Sequence, residues 1–318
     1  MADITNEPIV VVSDIHLGTG HIEKITPPNR DEFKDFLRYF PEKLDDEPKH
    51  LVLNGDFDDL WRRNTRTITR ENSDVYNLLS DLQNEKKIDV HYILGNHDWY
   101  ARRDRQGEIS MHNEQTYASE YKEIIYRQTH GTRYKFMHGH QFDHTLKKIL
   151  KLISSQLDMD IEEEKVFDFL AEVDGDVFGN KMEEWWQFFK SNRSRFSRSP
   201  SIRWLQKNLN KRKWRRERRR LESQTKMLAV AESNRKSKLG VEPGGAMDDV
   251  RRDPNADWLC IGHTHFDGIV EDSNVTNGGV ANSGTWKGGN STFLVLKEEP
   301  TLWEWNNGQP HLKGEDEN

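Results

Sequence analysis

Leu51-Val52-Leu53-Asn54-Gly55-Asp56-Phe57-Asp58-Asp59 decides how the rest of the chain is read. Three apolar residues form a strand that delivers Asn54, Gly55 and Asp56 to its carboxyl end, and Gly55 lets the backbone turn sharply. That turn sets the Asp56 carboxylate at the mouth of a sheet, where open α/β folds bind ligands. A single carboxylate there does no more than cap a helix. Four other segments change the reading, because each also ends a strand with oxygen or imidazole ligands.

Upstream, Pro8–Ser13 is a β run leading into Asp14-Ile15-His16-Leu17-Gly18. If the strand has already turned there, as Gly18 permits, Asp14 and His16 project to one side. Downstream, Ile88–Leu94 ends in Gly95-Asn96-His97-Asp98, Arg133–Met137 in His138-Gly139-His140, and Asp257–Ile261 in Gly262-His263-Thr264-His265. Between the early strands, Phe33, Phe36, Leu37 and Phe40 fall at helical spacing over Asp31–Phe40, with Pro41 as the stop. A second helix, capped by Asn72 or Ser73, carries the stripe Val75, Leu78, Leu79 and Leu82. Strand alternating with helix predicts βαβ units and a buried sheet. Val275–Val280, Ser291–Leu296 and Leu302–Trp305 add short strands, so the residues alone give an α/β fold with extra β structure.

The β rhythm breaks between His144 and Gly240, where Leu146, Leu150, Ile153 and Leu157 mark one helical face and Pro200 sits near the first turn of another helix. Val241-Glu242-Pro243-Gly244-Gly245 reads as the closing linker. The expected organisation is a core of 1–143 and 241–305, a helical insertion of 144–240, and a polar, frayed tail of 306–318. Within the insertion, Lys190–Arg220 holds fourteen Lys/Arg against one acid, although the whole chain carries a net charge of −7. Asp158–Glu184, just before it, is acidic. The apolar run Ile9–Val12 is too short for a signal peptide or a membrane span, and the single cysteine, Cys260, excludes an internal disulfide framework. A cytoplasmic location is expected, with peripheral membrane attachment as an option through the basic stretch.

The five segments offer Asp14, His16, Asp56, Asn96, His97, His138, His263 and His265, a mixture of carboxylate, imidazole and one amide. Such donors suit a pair of borderline divalent ions, manganese foremost with iron and zinc as alternatives, better than magnesium or calcium. His140 and Asp143 share the His138 loop and read equally well as supporting residues or as surface. His21, His50, His91, His112, His130, His144 and His311 belong to no motif.

The order DxH, GDxxD, GNHD, HGH, GHTH resembles the calcineurin-like metallophosphoesterase superfamily. The resemblance implies a four-layer β-sandwich flanked by helices. It implies that Asp14, His16 and His265 hold one metal, that Asn96, His138 and His263 hold a second, and that Asp56 bridges them. It further implies that His97 is the catalytic histidine, oriented by Asp59. Two metals of this kind clamp a phosphate and share a hydroxide that attacks phosphorus, splitting a phosphodiester, phosphomonoester or pyrophosphate bond.

Leu60-Trp61 stands where phosphoprotein phosphatases of the superfamily have Arg-Gly, which disfavours a protein substrate. The pattern GDxxDxW and the later Asn282-Ser283-Gly284-Thr285-Trp286 are more similar to the UDP-2,3-diacylglucosamine pyrophosphohydrolase branch, implying a nucleotide-sugar or lipid diphosphate. The chain departs from that branch in having His97 in place of arginine and Phe266-Asp267 after GHTH. For the insertion, with Trp185, Trp186, Phe188, Phe189, Phe196, Trp204 and Trp214 beside the arginines, four readings stand. It is a substrate lid, a helix on an anionic membrane, a groove for single-stranded nucleic acid, or a hairpin whose acidic and basic halves pair. The alternatives to a small-substrate hydrolase are therefore a nuclease and a non-catalytic scaffold of the same fold.

Overall fold

A computed structural model describes residues 3–18, 29–44, 47–59, 65–98, 120–142, 245–272 and 278–313. The expected insertion, with its basic and aromatic stretch, and Trp61 lie outside these residues.

Among the described residues, thirteen strands form two mixed sheets. The seven-stranded sheet runs in the order β13 (Gln309–Leu312), β12 (Pro300–Asn306), β11 (Thr292–Leu296), β2 (Ile9–Val12), β3 (His50–Asn54), β4 (Asp89–Ile93) and β5 (Glu120–Lys122). The six-stranded sheet runs β1 (Asp3–Thr5), β6 (Ile125–Thr129), β7 (Thr132–Phe136), β8 (Trp258–Ile261), β10 (Gly279–Asn282) and β9 (Gly268–Glu271). Strands β2, β3 and β4 are mutually parallel in the first sheet, and β7, β8 and β10 in the second. The near-continuous apolar runs of β2, β3 and β8 follow from burial on both faces.

Alternation then sorts the side chains. Ile9, Val11, Val52 and Ile93 from the first sheet meet Tyr134, Phe136, Trp258 and Cys260 from the second in one core. On the outer face of the first sheet lie α1 (Arg30–Lys43) and α3 (Ser73–Asn84), which follows the short α2 (Thr65–Glu71); Phe36 of α1 packs on Phe293 and Trp305. On the outer face of the second sheet, α4 (Ala246–Arg252) buries Ala246, Met247 and Val250 against Leu259, Ile261 and Val280. The result is four layers, α/β/β/α, as the α/β expectation required.

Three local expectations need correction. Pro41 lies inside α1 and does not end it. Proline in a last turn forfeits one hydrogen bond, and the turn still closes through Leu44 N donating to Phe40 O at 3.1 Å. Asn72 precedes α3, but its side chain donates back to Ile68 O of α2 and caps nothing. Residues 309–312 of the tail expected to fray form β13, paired with β12 from Trp303↔Leu312 to Asn306↔Gln309 around Asn307-Gly308, both at positive φ.

Candidate metal centre

Each ligand-bearing loop leaves the carboxyl end of a strand: Asp14 and His16 after β2, Asp56 after β3, Asn96 and His97 after β4, His138 after β7, His263 and His265 after β8. Three parallel strands of the first sheet and two of the second therefore deliver their loops to one edge of the sandwich. The loops pair with one another beyond the strands. Asp14 N donates to Gly55 O at 3.1 Å, His16 N to Asp56 O at 2.9 Å and Gly262 N to His138 O at 2.9 Å.

The chain turns at the ligands themselves. Asp14, His16, Asp56, His263 and His265 have φ of 54°, 51°, 51°, 64° and 59°. They make up five of the nine non-glycine residues with positive φ among the described residues. A left-handed conformation costs a side-chain-bearing residue about 1–3 kcal/mol and persists where surrounding contacts impose it. Asp-x-His and His-x-His thus share one kinked geometry that aims alternate side chains at the same point. Gly18 is not among the glycines with positive φ, so the turn expected of this segment falls at Asp14 and His16 themselves. Gly55 does turn, at φ 84°, and a Cβ there would lie 2.4 Å from the His138 ring.

The two central aspartates are held the same way. Asp14 Oδ2 accepts from His263 N at 2.9 Å, and Asp56 Oδ1 accepts from His97 N at 2.8 Å. The glycine before each donor lets the backbone come this close. A Cβ on Gly262 would stand 2.5 Å from Asp14 Oδ2, and one on Gly95 2.2 Å from Asp56 Oδ1. Each carboxylate thereby keeps its second oxygen turned into the cluster. Asp14 Oδ1 lies 3.1 Å from His265 Nε2, 3.6 Å from His16 Nε2 and 3.9 Å from His138 Nε2. Asp56 Oδ2 lies 3.1 Å from His138 Nε2, 3.8 Å from His16 Nε2 and 4.0 Å from His97 Nε2.

These residues fit divalent cations. Asp14 Oδ1 and His138 Nε2 are buried and find no hydrogen-bond partner among the described residues. His138 Nδ1 donates to Asn54 O at 2.9 Å, which leaves the Nε2 lone pair facing an anionic oxygen unless a cation or a proton intervenes. Three sets have donor atoms close enough to share an ion: Asp14, His16 and His265; His16, Asp56 and His97; and Asp56, His138 and His263. Asn96 is buried on the Gly95–His97 loop. All eight sequence-derived donors therefore lie on the converging loops, with Asp59 beside them.

The charges agree with that fit. Burial opposes ionisation of Asp14, but His265 and His138 outweigh it and hold the carboxyl far below the usual range. Burial likewise favours neutral His138, yet the Asp56 and Asp14 carboxylates raise it to about 10, so a proton takes the place that a cation would fill. His16 is pushed down to about 4, chiefly by burial. His97 Nδ1 sits 3.0 Å from Asp59 Oδ1; burial opposes its protonation, but Asp56 and Asp59 prevail and raise its pKa.

Two layers of support have no counterpart in the sequence reading. Asp98 is buried and accepts from Phe57 N at 2.9 Å, Tyr92 OH at 2.7 Å and Gly95 N at 2.5 Å, tying the Asp56 loop to the His97 loop. Burial, with the Asp56 charge adding to it, pushes the Asp98 carboxyl up to about 7. The only sequence signal was an acid directly after Asn96-His97. Behind Asp14, Thr285 Oγ1 donates to Asp14 O at 2.9 Å and Ser13 Oγ lies 2.8 Å from Ser283 Oγ. Trp286 is buried against Phe33 and Phe36, with ring centroids 5.0 Å from each. Of the undecided residues, His140 is buried, its ring 5.7 Å from that of His138; Asp143 lies outside the described residues.

Among solved structures, the chain is similar to a dimetal phosphatase from Danio rerio, at 12% identity and a TM-score of 0.45 over 96% of this chain and 98% of that one. It is also similar to zinc-complexed Vps29 from Entamoeba histolytica, at 11% identity and a TM-score of 0.36 over 96% and 97%. A third likeness, to a predicted phosphoesterase from Streptococcus pneumoniae, has 10% identity and a TM-score of 0.33 over 97% of each chain. None of these is close enough to argue from, and comparison with curated proteins gives no match. Residues 7–267, which carry every donor named above, match the calcineurin-like phosphoesterase family, and the chain belongs to that family.

Proposed function

We propose that the protein is a metal-dependent phosphoesterase in which Asp14, His16 and His265 hold one divalent cation, Asn96, His138 and His263 hold the other, and Asp56 serves both. The matched clamping of Asp14 and Asp56, with one oxygen of each fixed by a backbone N–H and the other turned inward, carries this reading. Two bound cations supply charge neutralisation of the phosphoryl group and activation of water. The chain's own residues supply orientation and a proton. Asp59 Oδ1 accepts a hydrogen bond from His97 Nδ1–H and orients the ring, so Nε2 points toward the cluster. Asp56 and Asp59 favour the protonated imidazole, the form that would donate to the departing oxygen.

A nucleotide-sugar or lipid diphosphate substrate rests on GDxxDxW and on residues 282–286. Thr285 Oγ1 and Trp286 N both donate to Asp14 O, and Ser283 Oγ meets Ser13 Oγ beside it, so that motif has a part in supporting the metal centre. Hydrolysis of a phosphomonoester, phosphodiester or pyrophosphate is the level at which the function is proposed. A scaffold role would leave the donors and their strained backbone without a purpose. Manganese-loaded protein should hydrolyse bis-p-nitrophenyl phosphate, and His97→Ala should lower kcat by about 10²–10⁴-fold while metal content is unchanged. Equal turnover by the variant would remove His97 from the mechanism, and an inactive wild type on every phosphoester tried would favour the scaffold.

A further inference from the structure

His97 is oriented as a metal ligand would be. Its Nδ1 stands 3.0 Å from Asp59 Oδ1, and a carboxylate accepting the far N–H of an imidazole is the usual partner of a ligating histidine, fixing the ring and strengthening it as a donor. The other nitrogen, Nε2, faces inward, 4.0 Å from Asp56 Oδ2. The His16 ring stands edge-on beside it, with centroids 4.6 Å apart. His16 Nε2 in turn lies 3.6 Å from Asp14 Oδ1 and 3.8 Å from Asp56 Oδ2, so it faces both central aspartates almost equally. Its one lone pair serves one cation at a time.

His16 therefore belongs to two triads. The one with Asp14 and His265 has edges of 3.6, 3.1 and 3.1 Å. An ion about 2.1 Å from tetrahedral donors sets them about 3.4 Å apart, so this triad needs little adjustment. The one with Asp56 and His97 has edges of 3.8 and 4.0 Å at the carboxylate, and its three donor atoms lie within 4.8 Å of one another. It must contract by about half an ångström to grip an ion, and so holds one more weakly. The tighter triad depends on the more exposed ligand, since the His265 side chain is 40% exposed and that of His97 18%. We propose that His16, Asp56 and His97 form a second, weaker seat for the cation otherwise held by Asp14, His16 and His265. The seat fills when His265 withdraws, and a cation in it engages His97 Nε2 and takes the proton donor out of use. It suits zinc, for which imidazole is a good ligand, better than magnesium or calcium. This rests on the phosphoesterase reading and adds an inactive resting position to the same site.

The test is a calorimetric titration of the full-length chain with zinc. Titration is required because an ion in the weaker seat is lost on desalting. His265→Ala breaks the tighter triad, so it should show one tight site and a second weaker by at least about tenfold, the least that a disturbed ligand set costs. Adding His97→Ala to that variant should abolish the second site, whereas His97→Ala alone should keep two tight sites. Adding Asp59→Asn to His265→Ala, a milder change that keeps the imidazole, should weaken the second site by about 10–100-fold. A single site in His265→Ala, or a second site that survives the loss of His97, would overturn the proposal. The two readings fail separately. A second site dependent on His97, in a protein whose wild type hydrolyses no phosphoester, upholds the seat and sinks the hydrolase. Hydrolysis by the wild type, with a second site indifferent to His97, does the reverse.

Discussion

Asp14 and Asp56 each give one oxygen to a backbone N–H from an opposite loop, at 2.9 and 2.8 Å, but the imidazoles that meet their other oxygens sit in unlike surroundings. The His265 side chain, 3.1 Å from Asp14, is 40% exposed, whereas that of His138, 3.1 Å from Asp56, is 0% exposed and anchored through Nδ1 to Asn54 O. The same clamp therefore has an open half and a closed half. A ligand group facing solvent can leave and return without disturbing the core. One enclosed between two sheets is part of the core, where the buried carboxylates call for a positive charge on or beside it, from a proton or from a cation.

The largest effect should come from replacing Asp56, the aspartate proposed to serve both cations. Asp56→Asn keeps an acceptor for His97 N but turns an amide toward His138 and His16, removing the anionic ligand from the closed half. Turnover should fall by at least about 10³-fold, beyond the 10–100-fold expected for an outer partner, and elemental analysis should find both cations lost. Asp14→Asn should lose one cation and keep the other. If both variants retain the same metal content, the halves are equivalent and the comparison fails.

Stability separates the halves next, in protein stripped of metal. His138→Ala leaves Asp56 and Asp14 buried without their compensating imidazolium, and breaking such a pair costs about 3–5 kcal/mol. His265→Ala removes a partner that water can replace, with an expected cost below about 1 kcal/mol. Urea denaturation with chelator present measures both. Similar losses for the two would mean that exposure does not decide what each imidazole contributes.

The contrast between halves was not legible in the sequence, although the donors were. The centre of strand β3, Leu51-Val52-Leu53, was readable because an apolar run flanked by polar residues and ending at Gly55 has few other uses. Strand β6 (Ile125–Thr129) escaped notice because its inward positions include Arg127 and Thr129, so no apolar alternation marks it; pairing with β7 and β1 makes it a strand. The edge strands β1, β5, β9 and β13 are three or four residues long, below the length at which periodicity speaks. At the site, glycine beside a ligand was visible, but not its purpose. Gly95 and Gly262 look like turn formers and serve to admit a carboxylate oxygen from another loop. Left-handed backbone at His16, His263 and His265 could not be read at all, since local preference would put glycine or asparagine there and only the converging loops impose it.

The smallest effect is the pH dependence of the metal-free protein, which pits the same two surroundings against each other. In His138 burial disfavours the proton, but Asp56 and Asp14 overcome it and raise the folded pKa to about 10, above the ~6.5 of an unfolded histidine. The folded state holds this proton more tightly, so the contribution is complete below about pH 6.5 and is lost as pH climbs through about 10. His16 has the opposite sign. Burial chiefly lowers it to about 4 against the pull of Asp14, so the unfolded chain takes up a proton first and stability declines as pH falls from about 6.5 toward 4. Asp98, raised to about 7, loses its contribution as pH rises from about 4 through 7 and offsets the gain from His16, so the urea midpoint of stripped protein should be nearly level on the acid side and drop on the alkaline side. With manganese bound the alkaline limb should flatten, because His138 Nε2 then holds a cation in place of the proton. An alkaline limb unchanged by manganese would mean that His138 binds no metal, and the closed half would be a buried ion pair and nothing more.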